Sequence, residues 1–206
     1  NGEGEDLPGF PLVFGKEFAT KITGDKDMEM SYYDSNPATV GDIDGDGSPD
    51  VIFEFSFHKS QQNFKEIYFV HDAKGEFNQK LGIFFSQTTP VLEDLNSDGK
   101  MDIIVTDTVR EADVTKEVVM ALQYDGTKLF TADLNFKNGT YLLDSIATGD
   151  LNNDGKKEIV LAISDGNLEK GGAVYILSNN GDIVRKIELE ETPGDLVLAS
   201  LTGDKN

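Results

Sequence analysis

Apolar positions along the chain come in short runs, and each run follows an acidic segment that contains glycine. Near-continuous apolar runs, which are typical of strands buried on both faces, occupy 51–53, 103–105 and 159–161. Alternating runs, which predict strands with one buried face, occupy 66–70, 118–122 and 173–177. Glycine and aspartate interrupt every stretch before a period of 3.6 residues is established, so the pattern predicts no helix.

The same arrangement occurs three times. The segments VGDIDGDGSPD, LEDLNSDGKMD and TGDLNNDGKKE align without gaps, and their first aspartates lie 52 and 56 residues apart at Asp42, Asp94 and Asp150. Each copy has a second marker 31 to 33 residues later, at Gly75, Gly126 and Gly181. The pairs Asp125-Gly126 and Asn180-Gly181 tolerate positive φ and predict tight hairpin turns.

Each repeat therefore predicts four strands. A short entry strand, such as residues 38–40 or 91–92, leads into the acidic loop. The buried strand, the alternating strand and a more polar strand after the glycine turn follow it. Four-stranded units of about 50 residues that cover each other's faces are typical of propeller blades. The predicted fold class is all-β, a β-propeller or partial propeller of four-stranded antiparallel blades.

We expect residues 1–206 to form a single propeller-type domain. Its predicted parts are N-terminal strands of an incomplete blade at 1–36, three repeats at 37–89, 90–144 and 145–196, and a degenerate fourth start at 197–206, where Ser200 replaces the first aspartate. Three arrangements stay open: a ring of about four blades closed by residues 1–36, part of a larger propeller, or a ring completed by several chains. Because the chain begins at Asn1 and not at Met, we expect a processed or trimmed product.

Charge narrows the choice of partners. The chain has 38 acidic and 18 basic residues, a formal net charge of −20, and so repels both the nucleic-acid backbone and anionic membrane surfaces. It has no cysteine, which excludes disulfides, zinc-thiolate sites and a thiol nucleophile. No apolar run approaches the roughly 20 residues of a membrane helix. Cations are the partners that this charge favours.

The acidic loops follow the pattern D-x-[DN]-x-D-G-x-x-[DE]. Side-chain oxygens stand at loop positions 1, 3, 5 and 9, glycine at position 6 permits a sharp bend, and the carbonyl of position 7 can face inward. Hard oxygen ligands with several negative charges are typical of calcium, whereas magnesium needs stricter octahedral geometry and softer metals need His or Cys. The alternative interpretation is that these loops are plain Asp-Gly turns. An EF-hand is excluded, because its bidentate Glu at position 12 is replaced by Phe53, Val105 and Leu161.

These phased loops, each followed by an apolar strand, resemble the integrin-α-type propeller, the FG-GAP and VCBS-like repeat family, over about residues 37–204. The resemblance implies an extracellular or cell-surface propeller with about three Ca²⁺ sites at one rim of the blades. It implies as side-chain ligands Asp42, Asp44, Asp46 and Asp50, then Asp94, Asn96, Asp98 and Asp102, then Asp150, Asn152, Asp154 and Glu158. It adds the backbone carbonyls of Ser48, Lys100 and Lys156. We expect calcium to be structural, and the first loop, with four carboxylates, to bind it best.

The chain shows no catalytic motif such as G-x-S-x-G, H-E-x-x-H or a P-loop, and we predict that it is not an enzyme. Three hypotheses follow: a secreted or surface module for protein interaction or adhesion; a carbohydrate-binding propeller, free or accessory to a polysaccharide-degrading enzyme; and a structural subunit of an extracellular assembly. The third includes self-association through open sheet edges.

Recognition is expected where the repeats differ most, in loops between the second and third strands at 56–65, 106–116 and 164–171. The ligand is an unknown protein or glycan, and no nucleic acid or membrane insertion is expected. Asn138 heads an Asn-Gly-Thr sequon, for which a hairpin corner and glycosylation are both open interpretations.

Overall fold

The computed structural model describes residues 15–31, 38–59, 64–71, 77–83, 88–111, 114–134, 141–165 and 171–199. The chain divides into two compact units, Asn1–Phe84 and Phe85–Asn206. The first unit contains α1(Lys16–Thr23), β1(Glu29–Ser31), β2(Thr39–Gly41), β3(Asp50–His58), β4(Phe64–His71) and β5(Phe77–Ile83). The second contains β6(Val91–Glu93), β7(Asp102–Glu111), β8(Val114–Leu122), β9(Lys128–Asp133), β10(Tyr141–Gly149), β11(Glu158–Asp165), β12(Gly172–Leu177) and β13(Ile183–Leu189).

The strands form one antiparallel sheet for each repeat. In the second unit, β6 to β9 make one four-stranded sheet, called the second sheet, and β10 to β13 make another, called the third sheet, each with neighbours in chain order. In the first unit, β3, β4 and β5 are paired in order, and β1 and β2 both pair with β3. The predicted all-β class is confirmed, and the prediction of four-stranded antiparallel sheets is confirmed for the two sheets of the second unit, whereas the sheet of the first unit has five strands.

Two short strands share one side of β3. Strand β2 pairs with its first residues, from Asp50 to Ile52, and β1 pairs with its last, from Ser56 to His58. The sequence predicts N-terminal strands within residues 1–36, and β1 lies in that region. The other apolar segment of that region, residues 10–14, lies outside the described residues.

The prediction that the chain has no helix is wrong. Helix α1 is eight residues long and ends at Gly24, whose φ of 73° lies in the left-handed region that favours glycine. Its buried residue Ala19 clusters with Met28 and Phe57, and all three are at most 3% exposed. A helix this short is marginal by itself, and packing against the sheet stabilises it.

A shared apolar core joins the two sheets of the second unit. Along β12 buried and half-buried residues alternate, and its buried residues Ala173, Tyr175 and Leu177 lie in this core. The second sheet contributes residues such as Ile104 and Val119, both 0% exposed. The predicted burial of the second strand on both faces is confirmed for β11, where every residue from 158 to 164 is buried.

Polar contacts and a close fit also connect these two sheets. The Thr148 hydroxyl at the end of β10 donates to the Glu93 carboxylate at the end of β6 over 2.9 Å. The turn between β12 and β13 lies against Phe130 of β9, so closely that a Cβ on Gly181 would stand 2.4 Å from the Phe130 ring. The Gly181 position therefore needs glycine both for this approach and for its φ of 88°.

The predicted hairpin turns are present where they are described. The Gly126 amide donates to the Gln123 carbonyl over 2.9 Å, and the Gly181 amide donates to the Ser178 carbonyl over 3.0 Å. The predicted turn at Gly75 lies outside the described residues. The predicted loop at 106–116 is wrong in extent, because β7 continues to Glu111 and β8 begins at Val114. Long cross-strand pairing, which local sequence does not reveal, extends these two strands.

The last described residues cross the third sheet. The Leu196 amide donates to the Ser145 hydroxyl over 3.1 Å, and the Leu198 side chain lies against Gly149. The predicted fourth start from Ser200 onward lies outside the described residues. In the described ranges, no helix combines the length and apolar character that crossing a membrane requires.

Candidate calcium loops

Each acidic loop joins the first and second strands of its repeat, β2 to β3, β6 to β7 or β10 to β11. The loops run from Asp42 to Asp50, from Asp94 to Asp102 and from Asp150 to Glu158, and the ninth residue of each loop is the first residue of β3, β7 or β11. Because the buried strand begins at that residue, the last acid of each loop is drawn into the protein. Exposed fractions are 3% for Asp50, 1% for Asp102 and 6% for Glu158.

The buried ninth-position carboxylate closes each loop. It accepts a hydrogen bond from the backbone amide of position 2, and so gives this backbone donor an acceptor within the loop. The donor–acceptor distances are 2.9 Å for Ile43 to Asp50, 3.0 Å for Leu95 to Asp102 and 2.7 Å for Leu151 to Glu158.

The first-position aspartate organises the turn. Its Oδ2 accepts from the glycine amide of position 6 over 2.9 Å in the first loop, 3.0 Å in the second and 2.9 Å in the third. Positions 4 and 6 have positive φ in all three loops, including the non-glycine residues Ser97 and Asn153, both at 61°. The three loops thus share a backbone conformation with two left-handed positions, whereas the sequence predicted a bend only at position 6.

Positions 3 and 5 continue the scheme. Each side chain accepts from the backbone amide two residues later. From position 3 the bonds are Asp46 to Asp44, Asp98 to Asn96 and Asp154 to Asn152, at 3.0, 2.9 and 2.8 Å. From position 5 they are Ser48 to Asp46, Lys100 to Asp98 and Lys156 to Asp154, at 2.7, 2.9 and 2.8 Å. Four side-chain acceptors therefore turn toward the backbone in the same way in three loops.

The first loop brings three carboxylates together. Ligand atoms of Asp42, Asp44 and Asp50 all lie within 4.8 Å of one another. Like charges at this distance repel unless a cation or proton neutralises them. The fourth carboxylate of this loop, Asp46, is exposed and is not in this group.

In the other two loops, the side-chain amide of an asparagine replaces the carboxylate of position 3. The Asn96 amide donates to Asp98 over 3.0 Å. The Asn152 amide donates to Asp154 over 3.2 Å and to Glu158 over 2.9 Å. Replacing a repulsive pair with a donor and an acceptor lowers the need for a cation, so the first loop keeps the strongest predicted affinity.

In the second loop, burial and nearby negative charge disfavour the ionised form of the last acid, Asp102. Burial, together with the negative charges of Asp98 and Asp94, raises the pKa of Asp102 from its usual 3.8 to about 6, although backbone amides of Leu95 and Asn96 oppose the shift. A cation in this loop would favour the ionised form of Asp102.

The predicted role of the position-7 carbonyls of Ser48, Lys100 and Lys156 stays a prediction. Of the two lysines, Lys100 directs its ammonium group toward the following hairpin, 4.3 Å from the centre of the Tyr124 ring. It therefore stands beside the loop as a cation–π partner of the aromatic ring.

One residue at this site was not predicted from the sequence. Asn179, in the turn between β12 and β13, donates its side-chain amide to the Leu95 carbonyl in the second loop over 3.0 Å. The two residues are 84 positions apart, and the sequence signal at Asn179 is only that it precedes an Asn-Gly turn. No motif links that turn to the loop.

Three solved structures resemble the chain at low similarity. It has 15% identity to the crystal structure of exotype rhamnogalacturonan lyase YesX (TM-score 0.47; 76% of this chain and 41% of the lyase). It has 14% identity to rhamnogalacturonan lyase YesW (TM-score 0.40; 81% and 52%) and 15% to the Bacillus licheniformis rhamnogalacturonan lyase PL11 (TM-score 0.35; 81% and 52%). The chain thus spans only 41 to 52% of these lyases, and the likeness assigns it no activity.

No curated protein matches the chain. The model of the FG-GAP-like repeat matches residues 94–161. This stretch begins at the first aspartate of the second loop and ends inside β11, directly after the third loop. The resemblance predicted from the loop motif is therefore confirmed over residues 94–161, which are similar to the FG-GAP-like repeat.

Proposed function

We propose that the chain is a calcium-stabilised module of β-propeller type that acts outside the cell by binding a partner, in protein interaction or adhesion. The observation that carries the calcium part is the common bonding scheme of the three loops. In each loop, backbone amides hold the oxygen-bearing side chains of positions 1, 3, 5 and 9 in place, and in the first loop the ligand atoms of Asp42, Asp44 and Asp50 converge within 4.8 Å of one another, as a wrapped cation requires.

The donors fit calcium better than other metals. Carboxylate and amide oxygens are hard ligands, and the loops contain no His or Cys for a softer metal. Bound calcium would neutralise the carboxylates of Asp42, Asp44 and Asp50 in the first loop, and those around Asp102 in the second. Its chemical contribution would be charge neutralisation and loop stiffening, and no reaction step depends on it.

The packing in the second unit supports the propeller arrangement. On the second sheet, Leu95 is 2% exposed and Ala132 is 7% exposed, because the third sheet covers them. The repeat-equivalent residues on the third sheet are Leu151, 46% exposed, and Ile187, 36% exposed. The third sheet therefore has an apolar surface for stacking on both faces, as a blade with two neighbours requires.

Partner binding is proposed at the end of the sheets opposite the calcium loops. The connections there differ among repeats: β3 ends at His58 and β4 begins at Phe64, whereas β7 ends at Glu111 and β8 begins at Val114. Variable connections on a rigid scaffold are where recognition residues are placed. Calcium loops of extracellular modules bind at about 10⁻⁴–10⁻³ M, so loops of that kind would be largely filled outside a cell.

The substitution Asp44→Ala tests the metal assignment in the first loop. It removes a carboxylate from the convergent group but leaves the buried Asp50 in place. We expect calcium affinity at this loop to fall at least about tenfold, so that calorimetry detects one equivalent fewer.

Ser48→Ala is the matched control in the same loop. The predicted ligand at this position is a backbone carbonyl, so the substitution should leave the calcium stoichiometry unchanged. Unaltered calcium binding by Asp44→Ala, or an equal loss in both variants, would contradict the assigned ligand set.

A further inference from the structure

A single side chain connects the second loop to the neighbouring sheet. The amide nitrogen Nδ2 of Asn179 donates to the carbonyl oxygen of Leu95 over 3.0 Å, from the hairpin turn of the third sheet to position 2 of the second loop. The bond is partly buried between the two sheets. A charge-neutral bond in such a place is less screened by solvent than one at the surface.

Both backbone groups of Leu95, its amide and its carbonyl, form hydrogen bonds. Its own amide donates to the Asp102 carboxylate over 3.0 Å, while its carbonyl accepts from Asn179. Leu95 is 2% exposed and Asp102 is 1% exposed, so neither group has water as an easy substitute partner. A continuous chain of hydrogen bonds thus runs from Asn179 through Leu95 to a proposed calcium ligand.

The turn that contains Asn179 is fixed by a backbone hydrogen bond and by packing against the second sheet. The Ser178 amide donates to the Asp182 carbonyl over 2.8 Å, which closes the turn, and Gly181 lies in close contact with Phe130 of the second sheet. Leu177, just before the turn, is 0% exposed in the shared core. Because these contacts fix the turn, they also fix the position from which Asn179 donates to Leu95.

We propose that Asn179 is a positioning residue that couples calcium binding in the second loop to packing of the third sheet. This inference rests on the proposed calcium function. Calcium on Asp102 holds the loop in the conformation in which the Leu95 carbonyl meets Asn179. By reciprocity, the Asn179 contact increases the calcium affinity of that loop.

The experiment measures the affinity of each loop separately in the full chain. The amides of Gly47, Gly99 and Gly155 each donate to the first aspartate of their own loop, so their NMR shifts report calcium at one loop each. In Asn179→Ala, the calcium Kd reported by Gly99 should rise about three- to tenfold, the worth of one hydrogen bond. The values from Gly47 and Gly155 should change less than about twofold.

Asn180→Ala is the matched control, because Asn180 bonds within the turn to Asp182 and should leave the Gly99 value unchanged. Calcium-dependent shifts with the same Kd at Gly99 in wild type and Asn179→Ala would overturn the coupling. An equal rise at Gly99 and Gly155 would also overturn it, since it would show general loosening of the third sheet. If none of the three glycine amides responds to calcium in the wild-type chain, the proposed function itself fails.

Discussion

Removing calcium should lower the melting temperature of the chain by roughly 10 to 20 °C. A bound ion stabilises the folded state by RT ln(1 + [L]/Kd), or about 1–3 kcal/mol for each site at 10 to 100 times Kd. Each kcal/mol moves the melting temperature of a domain of this size by about 2–4 °C. The effect should be large because the metal also relieves repulsion among Asp42, Asp44 and Asp50.

The measurement is a thermal melt followed by circular dichroism in EDTA, with ionic strength held constant. Excess calcium should restore the original transition, and the same concentration of magnesium should restore much less of it, since magnesium gives up its water reluctantly. A transition that is unchanged by chelation would favour plain Asp-Gly turns. Equal recovery with both ions would favour general screening of the net charge of −20.

Truncating one core side chain should have the second-largest effect. Leu161 of β11 is 0% exposed and lies in the core shared by the second and third sheets. Leu161→Ala should lower the free energy of unfolding by about 2–5 kcal/mol, because it loses buried apolar area and leaves a cavity between two sheets. Urea denaturation in calcium-containing buffer measures this change.

Val184→Ala is the control for Leu161→Ala. Val184 lies on β13 of the same sheet but is 64% exposed, so its truncation should change the free energy of unfolding by at most about 0.5 kcal/mol. Similar losses in both variants would mean that the sheets do not share the core described. A nearly unchanged free energy of unfolding in Leu161→Ala would also contradict the core shared by the two sheets.

The loops and strands could be predicted because their determinants are local. Within nine residues, aspartate spacing, the glycine at position 6 and the apolar strand that follows specify the conformation, as the loop from Asp94 to Asp102 illustrates. The turns at Gly126 and Gly181 depend on two residues each, and both were predicted.

Features that depend on distant contacts were missed. Helix α1 has only short local signals, with Glu17 in its first turn and Gly24 at its end, and it is stabilised when Ala19 packs against Phe57 of β3. The bond from Asn179 to Leu95 requires two sheets to be packed before donor and acceptor meet. Pairing along the far ends of β7 and β8 likewise exceeds what residue preferences alone predict.

A crystal structure of the full chain grown in calcium, with anomalous differences measured, tests the central claim most directly. We expect an anomalous peak in each of the three loops, with carboxylate oxygens of Asp42, Asp102 and Glu158 among the atoms at the calcium–oxygen distance of about 2.3–2.6 Å. Loops without a peak in calcium-rich crystals, with carboxylates bonded only to their own backbone amides and to water, would contradict the claim.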